Sequence, residues 1–494
     1  MKYKVLGIVS LITVLAISVF ALLVNYNKEE EERYHQHLYA TEKEPCNHTD
    51  DTFCTHLPLV QIETNGQEIP GEPILAEDGH RIGYSTTKTG EGDLRCHITV
   101  VDNETKNNHI NDTVTIDSDA MIRVRGNSSR YFSKLSYKVD LITEDGVNNP
   151  QEMMGMDAHH EWALHGPYLD KTLIRNYMWY NISGEIMEYA PNVRFCEVMI
   201  NGEYMGLYLM TETITAGNND ARLNVSVTKK NSSFAGYVLR IDRGSNTELK
   251  NISPYSLYTY RNKEAKINIV YPGTQNLTPE LSESIRQDFS DFERMLYTYD
   301  FDDPKYGYST AIDVNSFANY FIINEFTCNY DAGSYSTYIY KAVDNKYYMC
   351  VWDFNNACDN YQEQPIDRET FHLHNTLWFQ MIIKNKDFTK EVIEQYHNLR
   401  NSYLSDEYLE NYIDETILYL GDAINRNNER WENVFLDDKD LLYPTERNLH
   451  SYDEAVEQMK DFIIQRGAWL DENMETISQY SADSKVKLYK EHTR

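Results

Sequence analysis

The sequence predicts an α+β protein in which strands dominate the first half and helices the second, behind an apolar amino-terminal run. Three observations carry this. Short β-branched segments separated by Asn, Asp and Gly turns fill residues 57–242. Amphipathic stripes at helical spacing recur through 243–478. Val5 to Val24 carries no charge over a length that spans a bilayer, ~20 residues. With 494 residues and 41% hydrophobic content the chain can bury a large core, so disorder is not the default.

Lys2 and Lys4 precede the apolar run and Glu29 to Glu32 follow it. Lysines on the short side keep that end in the cytoplasm, so residues 1–27 read as a signal anchor. The chain is then a single-pass protein of the cell membrane with its bulk extracytoplasmic. A cleaved signal peptide is the alternative, with Val19 and Ala21 at the cleavage site and a secreted product. Residues 28–56 are charged and aperiodic, a polar stalk. Within them Cys46 and Cys54 enclose a short loop, and in an exported chain a disulfide is the natural reading. Seven cysteines leave at least one unpaired, and their spacing does not match a zinc site. A net charge of −31 argues against a nucleic-acid partner and suits a basic protein substrate.

Through 57–242, LPLVQIET (57–64), ITVV (98–101) and MIRVRG (121–126) suggest an open antiparallel sheet. RVRGNSS (123–129) leads into SKLSYKVDL (133–141), where a Gly turn exposes backbone N–H groups and a strand-borne ammonium, Lys134, can meet polyphosphate oxygens. Lys138, four residues on, points to the same face and competes for that role. In WALHGPYLDKTLIRN (162–176), Asp170 and Arg175 are placed for a structural ion pair at a helix start. His159 and His160 are adjacent and cannot share a helical face, so with His165 they do not read as metal ligands. Asn201-Gly202 signals a type I′ hairpin whose second strand ends at Glu212. GYVLRIDRG (236–244) is one more strand, leading into a crossing.

In the second half, Thr278 and Pro279 open a helix with Leu281, Ile285, Phe289, Phe292 and Leu296 on one stripe. Asp313 caps another, whose Phe317, Phe321, Ile322 and Phe326 bury one apolar face. Asp331 follows in a polar loop. Ser336 to Lys341 and Lys346 to Phe354 pair across a Val-Asp-Asn turn and deliver Asp353 to a strand end. A loop Asp before a hairpin and a second Asp after it is the order protein kinases use. Ser451 to Met474 forms a last helix, and 479–494 is a tail.

WDFNNACDN (352–360) with Asp331 upstream, the Arg-Gly-Asn-Ser turn before Lys134, and the segments 162–176 and 198–214 resemble the spore coat protein H (CotH) kinase family. The likeness runs in ordered segments over about residues 57 to 475. The family motif is roughly Trp-Asp-x-Asp followed by Gly-Asn. Here Asn355 stands for the second Asp and Asp359 for the Gly. The resemblance implies a diverged protein-kinase-like two-lobe fold, with a strand-rich N-lobe over 57–242 and a helical C-lobe over 243–478. It implies an atypical kinase moving the γ-phosphoryl of ATP, with Mg2+ or another divalent cation, to Ser/Thr hydroxyls of a basic or Ser-rich protein. Asp331 would be the catalytic Asp, and Glu212 would pair with Lys134. Arg125, Gly126 and Asn127 would join Lys134 around the nucleotide. Asp353, Asn355 and Asp359 would hold the metal. The alternatives are an inactive CotH-like surface or adhesion module, since ATP is scarce outside the membrane, and a tyrosine-rich carbohydrate-binding surface protein.

Overall fold

A computed structural model describes residues 33–41, 43, 44, 46, 53–217, 222–228, 233–244, 247–249, 265–360, 364–436 and 442–481. The run expected to cross a membrane, Val5 to Val24, lies outside the described residues. Among those described, no helix is long and apolar enough to cross a membrane. The chain divides into two compact units between His35 and Gln36, and the second carries the fold and the site.

Seven strands close into a barrel: β1 (Leu59–Glu63), β2 (Leu94–Val101), β3 (Ile116–Arg125), β4 (Ser136–Ile142), β5 (Glu161–His165), β6 (Val193–Ile200) and β7 (Glu203–Glu212). Around the barrel the order is β5-β7-β6-β1-β2-β3-β4, and β4 pairs with β5 to close it, Val139 facing Trp162. Only the β6–β1 pair is parallel, Glu197 opposite Leu59. The expected open sheet is therefore corrected to a closed one, which leaves no barrel strand with an unpaired edge. Alternation shows why the interior is packed and not a pore: in β2 and β3 every second residue is buried, and Val60, Ile98, Ile122, Val139 and Trp162 meet inside.

The predicted hairpin forms with Asn201 and Gly202 both at positive φ, 51° and 78°, as a type I′ turn needs. β6 and β7 are buried on both faces. Cys196 and Met210 point into the barrel, while Phe195 and Leu209 pack outward into the main core with helix α1 (Arg175–Ile186). That helix is buried from Arg175 to Ser183, an all-round burial that places it between layers.

A second, four-stranded antiparallel sheet has the order β9-β8-β10-β11: β8 (Tyr237–Asp242), β9 (Lys266–Tyr271), β10 (Thr337–Lys341) and β11 (Tyr347–Cys350). It draws strands from both sides of Asp242. Against it lie α2 (Pro279–Leu296) and α3 (Val314–Thr327), capped as read by the Thr278 and Asp313 side chains. α3 corrects its expectation: it buries not one face but every residue from Ser316 to Thr327. Besides a single turn at Phe379–Ile382, the other α-helices among the described residues are α4 (Lys386–Arg400), α5 (Asp406–Leu420), α6 (Asp422–Arg430) and α7 (Tyr452–Asn473), the last capped by Ser451. Two kinase-like lobes do not form. The residues from Gln36 onward make one compact unit, a mixed α/β fold in which a single core joins the barrel's outer wall to the helices.

Candidate functional site

The site is assembled on α1, whose polar side chains hold the loop after β11. The Asp353 N–H donates to the Tyr180 hydroxyl at 3.0 Å and the Phe354 N–H to Asn176 Oδ1 at 2.7 Å. Arg175 Nε reaches the Ala357 carbonyl at 3.0 Å. Arg175 also pairs with Asp170 at 2.6 Å in full burial, the structural ion pair the sequence suggested. Three non-glycine residues of this loop adopt left-handed backbone: Asp353 (φ 62°), Cys358 (φ 57°) and Asp359 (φ 52°). Such positions are uncommon and cluster where geometry serves function. Asp359 takes its conformation at the position where the family motif has Gly, and Asp is among the few residues that tolerate it.

Asp331 enters from the other side. α3 ends in a left-handed Cys328, and the following turn closes when the Ser334 and Tyr335 N–H groups donate to the Asp331 carbonyl at 2.9 and 2.8 Å. Gly333 is required there, because a Cβ would lie 2.3 Å from Thr376 Cγ2. The carboxylates of Asp331 and Asp353 then act on each other. Burial first, then the Asp353 charge, push the Asp331 carboxyl up to about 7, while Arg243 and a 3.0 Å hydrogen bond from Asn356 pull the other way. Burial also raises Asp353, opposed by the Arg125 guanidinium and by the Ser336 hydroxyl at 3.3 Å. Asp242 adds negative charge to both. Arg125 lies 5.4 Å from the Trp352 ring centroid, and Arg243 lies 4.1 Å from that of Tyr335.

The other expected residues are distributed differently. Lys134 and Glu212 form no ion pair. The Lys134 ammonium is buried and donates to the Leu207 carbonyl (2.5 Å), Asn427 Oδ1 (2.6 Å) and the Pro167 carbonyl (3.4 Å), 4.9 Å from the Tyr208 ring centroid. Burial pushes it well below the usual lysine range. Glu212 instead accepts from the Asn192 N–H at 2.9 Å. Lys138 does not share a face with Lys134, because β4 begins only at Ser136. It lies on the outer face, paired with Asp140 (2.8 Å) and Glu161 (2.9 Å).

Gly126 needs its positive φ of 106°, since a Cβ would collide with Ser129. Asn127 precedes the 3-10 turn Ser128–Tyr131 without a capping hydrogen bond. Asn355 turns its amide nitrogen to Asp353 Oδ1 (2.7 Å) and its oxygen to Asn176 (3.0 Å). Asp359 is tied to Arg447 at 2.7 Å and accepts from the Ile366 N–H. Among the described residues it joins no cluster of metal-ligand atoms with Asp353.

Sequence reasoning missed Asp242, Arg243, Ser336 and Asn356. The Asp-Arg pair ending the strand in GYVLRIDRG was the available signal, but nothing local said that β8 would lie beside β10. His165, at the end of β5, is pushed down to about 3 by burial and the Arg125 charge.

Two buried carboxylates with raised affinity for protons, with the Ser336 hydroxyl, the Asn355 and Asn356 amide nitrogens and two guanidinium groups around them, can offer oxygens to a divalent cation and positive charge to a polyanion. Fold and site together define a mixed α/β protein that brings two buried carboxylates and two guanidinium groups together beside its four-stranded sheet. A family model described as CotH kinase protein matches residues 122–470, and the chain belongs to that family. No curated protein matches the chain.

Proposed function

We propose that this protein is a CotH-like, ATP-dependent protein kinase that phosphorylates Ser/Thr hydroxyls of a basic or Ser-rich protein. The observation that carries the reading is the placement of Asp331: held by the Asn356 amide, it is buried beside the Asp353 carboxylate, and that burial and charge raise its affinity for protons as a general base requires. Asp331 accepts the proton of the attacking hydroxyl. Asp353 offers carboxylate oxygens to Mg2+, which when bound would neutralise charge on the transferred phosphoryl group. Arg125 and Arg243 supply the positive charge that the resemblance assigned to Lys134, whose three hydrogen bonds are spent on protein acceptors. Asn355, turned by Asn176, holds the Asp353 carboxylate in place.

The test is the purified protein with labelled ATP, Mg2+ and a basic Ser-containing protein. Label transfer that Asp331→Asn abolishes supports the proposal. ATP binding without transfer would favour the inactive-module reading, and stabilisation by a polysaccharide alone the carbohydrate-binding one. We also place the chain from Asn25 onward outside the cytoplasmic membrane, on the strength of the run Val5 to Val24 and its flanking lysines. Protease added to intact cells should digest it, and full protection would refute that placement.

A further inference from the structure

Away from the Asp331–Asp353 pair, two cysteines of one short segment meet a histidine more than fifty residues on. Cys54–Thr55 pairs antiparallel with Asn108–His109, which sets Cys54 opposite His109. The segment before Cys46 is strapped along the same turn: the Glu44 N–H donates to the Thr105 carbonyl at 2.8 Å, and Lys43 Nζ to that of Asn103 at 2.5 Å. As a result Cys46 Sγ lies 3.5 Å from Cys54 Sγ and 3.3 Å from His109 Nε2, and all three ligand atoms lie within 4.8 Å of one another. All seven cysteines are free thiols, so the disulfide expected between Cys46 and Cys54 is not formed.

We propose that Cys46, Cys54 and His109 form a structural zinc site that clamps the stalk end of the chain to the barrel. Ligand sulfurs on a tetrahedral Zn2+ at about 2.3 Å stand about 3.8 Å apart, close to the spacing found here and far from the ~2.05 Å of a disulfide. Thiolate and imidazole together select zinc over magnesium or calcium. The histidine is oriented for the task. Its Nδ1 lies 3.1 Å from Asp112 Oδ2, which places the proton on Nδ1 and leaves the Nε2 lone pair facing the sulfurs. Asp112 is itself fixed by the Asn103 amide at 3.1 Å. A disulfide would use the two sulfurs and leave this carboxylate–histidine arrangement without a purpose.

Asn107 Nδ2 donates to Cys54 Sγ at 3.4 Å, as an amide commonly does to a ligating thiolate. Among the described residues, Cys46, Cys54 and His109 supply the ligand-type atoms that gather here. The sequence hid the site because the histidine comes from a different strand and the CxxC spacing is absent.

The experiment uses the full chain, reduced and stripped of metal, titrated with Co2+ and then Zn2+. Saturable Co2+ binding with a thiolate-to-cobalt absorption band, displaced by Zn2+, is expected. The band should vanish in Cys46→Ser and in Cys54→Ser, both checked for folding by circular dichroism. Asp112→Asn, which keeps every ligand, should weaken Zn2+ binding by about 10–100-fold. No band, a band surviving both Cys→Ser changes, or a Cys46–Cys54 disulfide without zinc in protein isolated without reductant would overturn the proposal.

Discussion

Glu325 and Asp331 leave the end of the same helix and meet opposite fates. Glu325 is fully buried against Arg466 at 3.1 Å and accepts from the His372 and Leu373 N–H groups. Arg466 spends its other donors on the carbonyls of Glu325, Arg368 and Thr370. Every charge there is answered. Asp331 is buried beside a second carboxylate, and the cation that opposes its charge, Arg243, stands half in solvent and is shared with Asp242. A neutralised carboxylate ties α3 to α7 and has nothing left to offer a ligand. An under-neutralised one keeps affinity for a proton or a metal ion, and chemistry follows the deficit.

The contrast breaks most readily at Asp331. Asp331→Asn should cut phosphoryl transfer by roughly 10²–10⁴-fold while leaving ATP binding in place, since an amide keeps the shape but accepts no proton. Asp353→Ala should instead remove the Mg2+-dependent part of ATP binding, measured by isothermal titration. Binding lost at Asp331→Asn and kept at Asp353→Ala would exchange the two roles. Next in size, Glu325→Ala strands a buried guanidinium and should cost about 3–5 kcal/mol in urea unfolding, with no specific effect on metal titration. A loss under about 1 kcal/mol would mean that Arg466 finds another partner.

The pH dependence sharpens the comparison. The folded Asp331 carboxyl at about 7 binds its proton more tightly than an unfolded one at about 3.9, so its stabilising contribution is fully present below about pH 4 and lost as pH rises through 7. Asp331→Asn should flatten the fall in Tm between pH 5 and 8. Mg2+ should raise the Tm of the parent more at pH 8 than at pH 5, and equal shifts would argue against a cation held at Asp353 beside Asp331. The smallest effects are expected at the departures from the family motif. Asn355→Asp, beside Asp353, should tighten Mg2+ binding. Asp359→Gly should leave it unchanged, because Asp359 answers Arg447 and not the metal.

Local chemistry was legible in advance. The Asn201-Gly202 hairpin, the caps at Thr278 and Asp313, the stripe of α2 and the Asp170–Arg175 pair were all readable, because each depends on residues a few positions apart. The ordered motifs also sufficed to place the chain in its family. Barrel closure was not readable. Alternation in β4 and β5 says which side chains turn inward, but not that the strand at one edge pairs with the strand at the other. The same limit applied to the charges. Lys134, Glu212 and Asp359 have the right chemistry for their expected roles, yet Asn427, Asn192 and Arg447 claim them from distant parts of the chain. Sequence by itself determined which groups could ionise and which local shapes they would occupy. Only the tertiary structure decided which charges are answered, because the energy of a buried charge depends on what long-range packing sets beside it.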